Sequence, residues 1–128
     1  MHQLSLLQVL AVAAIPVLFA ITLHEVAHGW VARLHGDRTA EMLGRLTLNP
    51  LKHIDPIGTV IVPALALAMT GFLFGWAKPV PVATRNLRNP RRDMMLVAPA
   101  GPGANVLMAL FWAFFTKLVS VSGLDGTA

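Results

Sequence analysis

His24 and His28 are four residues apart with Glu25 beside the first. On a helix, positions i and i+4 lie one above the other on the same face, so two imidazoles at this spacing can hold one metal ion. This is the His-Glu-x-x-His pattern of zinc hydrolases, in which the histidines bind Zn²⁺ and the glutamate acts as general base. Zinc lowers the pKa of its water towards about 7, and the glutamate takes the proton and can hand it to a leaving amine. The expected metal ligands are therefore His24 and His28, the expected base is Glu25, and the expected cofactor is Zn²⁺. No cysteine occurs in the chain, so thiolate ligands and disulfides are excluded.

The setting of the motif gives it weight. It lies at the end of the apolar stretch "LSLLQVLAVAAIPVLFAITLHEVAHGWVARL", residues 4–34. Ionisable groups at membrane depth are costly and mark function by default. His2 at the terminus, His35 after the helix and His53 in a turn are expected to be solvated rather than ligands.

The elements that must position the motif follow from the hydropathy. The chain has 128 residues, 55% of them hydrophobic and 12% charged, far oilier than a soluble domain. It reads as an all-α integral membrane protein, and its length suits one unit without a second domain. Three hydrophobic segments are expected, at 4–34, 57–76 and 94–121, with Pro16 kinking the first and Gly36 ending it. A cleaved signal peptide fits poorly, because no Lys or Arg precedes the first run. Residues 43–48, "LGRLTL", alternate apolar and polar side chains, and a short β-element is expected there. Its edge would receive an extended substrate segment.

The +4 net charge does not point to nucleic acid, since no aromatic-interleaved basic face accompanies it. Nine of the ten Lys and Arg residues fall in the two connections on either side of 57–76, and only Lys117 lies elsewhere. Placing both connections in the cytoplasm satisfies the positive-inside preference. That placement requires residues 57–83 to enter and return as a re-entrant hairpin turning near Thr70 and Gly71. The length of the run also suits a plain spanning helix, and both arrangements stay open at this point.

An intramembrane His-Glu-x-x-His resembles the site-2 protease family of intramembrane zinc metalloproteases. Three further stretches carry the likeness: "NPLKHIDPIGT" (49–59), "FGWAKPVPV" (74–82) and "AGPGAN" (100–105). The resemblance implies an endopeptidase of a prokaryotic plasma membrane that cleaves transmembrane or membrane-associated protein substrates. It also implies that Asn105 faces the active site, where its amide would steady the tetrahedral intermediate or orient the substrate. Small residues at Gly101 and Gly103 would let the helix of Asn105 approach that of His24.

In the family the third metal ligand is an aspartate in a Leu-Asp-Gly element on a later helix. Leu124-Asp125-Gly126 has that sequence, but about 20 helical residues beyond Asn105 correspond to roughly 30 Å, at the opposite membrane face. Asp125 is therefore not expected to be the ligand. The chain reads as the N-terminal part of such a protease, with the metal-completing helix lying beyond it. Rival readings are a metal-ion-binding or transporting membrane protein and a catalytically silent membrane scaffold.

Overall fold

In the computed structural model, residues 4–72, 74–124 and 126 are described. Asp125, set aside above as a ligand, and His2 lie outside them. Two long helices dominate. Helix α1 spans Leu6–Leu34 and α4 spans Pro90–Ser122, with the short α2 at Thr39–Met42 and α3 at Val62–Thr70 between them. The chain is mostly helical, as expected, and the described residues contain no strand.

Helix α1 starts with a reciprocal cap. Ser5 Oγ accepts from the Gln8 amide at 3.3 Å, and Gln8 Oε1 accepts from the Ser5 amide at 2.9 Å. It ends at Gly36, whose φ of 107° is open to glycine. Pro90 opens α4 at a position where its missing N–H costs nothing, after Asn89, which accepts from the Arg92 amide at 3.3 Å. The 29 residues of α1 and 33 of α4 extend roughly 43 and 50 Å. Both are long and apolar enough to cross a membrane. Only Thr22, Gly29 and Ala32 of α1, and Asp93, Val97 and Gly101 of α4, are buried, so most of their apolar surface faces outwards.

The two helices run antiparallel, with His35 near Arg88, His28 near Val97 and His24 near Asn105. A small core of Ala32, Leu87 and Val97 closes the end from which both connections leave.

The segment between the long helices turns back on itself. A π-helical turn at Pro56–Ile61 leads into α3, which stops at Gly71 with a left-handed φ of 75°. Trp76 then lies beside the start: its amide donates to the Gly58 carbonyl at 2.9 Å, and its indole N–H donates to Asp55 at 3.2 Å. Helical rise from residue 58 to 70 is about 18 Å. The five steps from 71 to 76 cover at most about 17 Å. The return therefore leaves room for no second helix. A methyl group at Gly58 would overlap the Trp76 ring, which is why glycine stands there. The chain thus turns back on itself between residues 58 and 76, and a plain third spanning helix over 57–76 is not formed.

The two connections are tied together at the hairpin's open end. Arg45 donates to the Lys78 carbonyl at 2.9 Å, the Lys78 amide donates to the His53 carbonyl at 3.0 Å, and the Ala83 amide donates to Asp37 at 2.8 Å. Asp37 also accepts from the Thr39 amide at 3.0 Å and is 2% exposed.

Two expectations fail here. Residues 43–48 form turns and bends rather than a strand. Gly44 has a φ of 69°, and the alternation runs the wrong way for a half-buried strand. Arg45 is buried by its bonds to the Lys78 and Pro79 carbonyls, while Leu43 and Leu48 are exposed. His53 is not solvated but 1% exposed, its Nε2–H donating to the Thr47 carbonyl at 2.9 Å.

Candidate metal centre and catalytic site

His24 and His28 sit one helical turn apart on the face of α1 that meets α4. Their Nε2 atoms are 3.1 Å apart and their ring planes cross at 78°. Tetrahedral zinc with bonds of about 2.0–2.1 Å places two ligand nitrogens about 3.3 Å apart. The observed separation matches that requirement closely. His28 is oriented by its other nitrogen, since Nδ1–H donates to the Val97 carbonyl on α4 at 2.7 Å. A carbonyl can only accept, so His28 carries its proton on Nδ1 and keeps the Nε2 lone pair for a metal.

Gly101 makes the approach of α4 possible. A methyl group there would overlap His28 Nε2 and lie 2.7 Å from His24 Nε2. Pro102 follows directly and removes an intrahelical donor inside α4. A methyl group added at Gly103 would meet no atom within 4 Å, so of the two glycines only Gly101 is required by the contact.

Glu25 points towards the chain returning from the hairpin. Its Oε2 accepts from the Val80 amide at 2.7 Å. That short, charge-assisted bond fixes the carboxylate from outside its own helix. Asn105 Nδ2 lies 3.1 Å from His24 Nδ1, while its Oδ1 is buried without a partner. His24, Glu25 and Asn105 line one cavity of about 290 Å³ together with Ala77 from the return segment and the apolar Val17 and Ile21. A larger groove of about 620 Å³ on the outer side of the α1–α4 pair is lined by Ala27, Trp30, Gly103 and Leu107 among others and offers no polar surface.

All four residues singled out in the sequence thus come together. Among the described residues, no third His, Cys, Asp or Glu joins the two imidazoles. The Nε2 separation and the Gly101 cradle fit two ligands of a zinc site.

Comparison with known proteins bears on this arrangement. The chain is 40% identical over 124 residues to "Putative zinc metalloprotease YwhC" of Bacillus subtilis, covering 97% of this chain and 52% of that protein. It is 33% identical over 100 residues to "Putative zinc metalloprotease Rip2" of Mycolicibacterium smegmatis, covering 78% of this chain and 38% of that protein. Its homologues are named as zinc metalloproteases. The Rip2 protein of Mycobacterium tuberculosis is likewise 32% identical over 102 residues. The chain spans about half the length of the first of these relatives and less of the others. No protein-family model and no solved structure matches it.

Two contacts were invisible in the sequence. The Val80 amide on Glu25 joins residues 55 apart, and "PVPV" carries no sign of which amide faces inwards. The Val97 carbonyl on His28 is a backbone group and leaves no mark on residue type.

Proposed function

We propose that this chain forms the metal-binding and base-bearing part of an intramembrane zinc endopeptidase of the site-2 protease type. The observation that carries the reading is the convergence of His24 Nε2 and His28 Nε2 at 3.1 Å beside a cavity shared by Glu25 and Asn105. That cluster sits between two helices able to cross a bilayer, which supports an integral membrane location and a membrane-embedded protein substrate.

When bound, zinc supplies a Lewis acid and water of lowered pKa. His24 and His28 would hold it, and the third ligand is assigned to a residue outside those described. The Val97 carbonyl orients His28, and Glu25 is held with Oε2 on the Val80 amide so that it can accept a proton at the cavity. Val17 and Ile21 give the cavity apolar walls, and the chain returning from the hairpin adds Ala77 to its lining. With the connections in the cytoplasm, the basic residues gather on one side and the hairpin is re-entrant.

Catalysis and metal transport predict different residues. A transporter needs several ionisable stations along its helices, whereas the two long helices, apart from Arg33, Arg91, Arg92, Asp93 and Lys117 near their ends, present one histidine pair with an adjoining glutamate. The proposal is tested with the full-length protein in bilayers: cleavage of a transmembrane reporter is expected from wild type and lost in Glu25→Gln with zinc retained. Equal cleavage by Glu25→Gln would overturn it.

A further inference from the structure

Arg45 is a buried cation without a carboxylate. It is 8% exposed, and among the described residues no Asp or Glu pairs with it. Its Nε is buried without a partner. Its Nη2 donates to the carbonyls of two consecutive residues, Lys78 at 2.9 Å and Pro79 at 3.4 Å. A guanidinium held this way carries a desolvation cost that two neutral acceptors only partly offset. What the chain gains is control of the backbone at one place. The next residue is Val80, whose amide donates to Glu25 Oε2 at 2.7 Å.

The segment leading to Val80 has few other means of being fixed. Pro79 and Pro81 carry no N–H, so neither can be tied down through an amide. Lys78 is held at both of its main-chain groups: its amide donates to the His53 carbonyl at 3.0 Å, and its carbonyl accepts from Arg45. Val80 itself is 7% exposed and packs over Gly29, one turn beyond Glu25 on α1. Leu46, the neighbour of Arg45, packs at the same glycine, where a methyl group would meet Leu46 at 2.5 Å and Val80 at 3.0 Å. Residues 45–46 and 78–80 thus sit together against the turn of α1 that follows the glutamate.

Resting on the zinc-peptidase reading above, we infer that Arg45 is a positioning residue for Glu25: through the Lys78 and Pro79 carbonyls it sets the place at which the Val80 amide meets the carboxylate. In this role it acts on the base only through the backbone of residues 78–80. Lysine is not equivalent, because an ammonium on a flexible stem lacks the fixed donor directions of a guanidinium.

The test uses the full-length protein in nanodiscs with a transmembrane reporter. Arg45→Met is expected to lower kcat by at least about tenfold, on the scale set by a hydrogen bond to a charged group, with KM and zinc content unchanged. In a Val80→Pro background, where the donor is already gone, the same substitution should lower kcat no further. A residue acting on stability alone would lower it by the same factor in both backgrounds. Arg45→Lys should lose less than Arg45→Met. Without substrate, the ¹⁵N-labelled Val80 amide signal, assigned by its loss in Val80→Pro, should shift in both Arg45 variants. Wild-type kcat in Arg45→Met overturns the inference, and so does an equal loss in the two backgrounds. If Arg45→Met does not fold, an unmoved Val80 amide in Arg45→Lys overturns it equally. Failure of the underlying reading looks different: wild type would cleave no reporter, while the Val80 amide would still shift with Arg45.

Discussion

Glu25 Oε2 and the Val80 amide are joined by a 2.7 Å hydrogen bond, which ties the candidate base on α1 to the chain leaving the hairpin. Val80 stands between Pro79 and Pro81, which have no N–H, so its amide is the donor this short stretch can offer. A hydrogen bond to a charged group is worth about 1.5–3 kcal/mol. Val80→Pro removes the donor and is expected to cut reporter cleavage by roughly 10- to 100-fold at unchanged zinc content. Equal cleavage by this variant would show that the bond does not hold the base in place.

Gly101 and Gly103 make a paired test of the helix contact. Gly101→Ala drives a methyl group into both Nε2 atoms and should abolish zinc binding. Gly103→Ala meets no atom within 4 Å and should bind zinc normally, with stability raised by up to about 1 kcal/mol from helix propensity. Zinc titration of the two purified variants distinguishes them, and equal behaviour would contradict the packing described.

The hairpin gives a topological prediction. Single cysteines placed at Asp55 and Arg88 should react from the same side of sealed vesicles, and the absence of native cysteine makes the labelling clean. Labelling from opposite sides would mean that the segment around α3 crosses the membrane and that Trp76 does not return to Gly58.

Much of this organisation was legible from residue types. The spacing of His24 and His28 gave the shared helix face, the hydropathy gave both long helices, and the basic connections favoured the turn that Trp76 and Gly58 close over a plain span. Residues 43–48 misled because alternation records side-chain type, not partners: Arg45 is buried by carbonyls 33 and 34 residues away. His53 misled similarly, since a turn position says nothing about the Thr47 carbonyl that covers its ring nitrogen. The approach of Asn105 to His24 and of the Val97 carbonyl to His28 depends on how α4 packs on α1, which no spacing encodes.

Asp37 predicts a pH dependence of the connections. Burial pushes its carboxyl up, but hydrogen bonds from the Thr39 hydroxyl, the Thr39 and Ala83 amides and Asn86 together hold it below its ordinary value of 3.8. A carboxylate depressed in the folded state contributes stability that is fully present above 3.8 and is lost as pH falls through the lower folded value. Asp37→Asn should therefore unfold at a lower temperature than wild type at neutral pH, with the gap closing as pH drops below that range. A gap independent of pH would show that the charge is not what these amides recognise.

Metal content of the full-length protein tests most directly whether His24 and His28 hold a catalytic zinc. Wild type and Glu25→Gln should each purify with zinc, and the His24→Ala, His28→Ala double variant should purify without it. Zinc retained undiminished in the double variant would contradict the account.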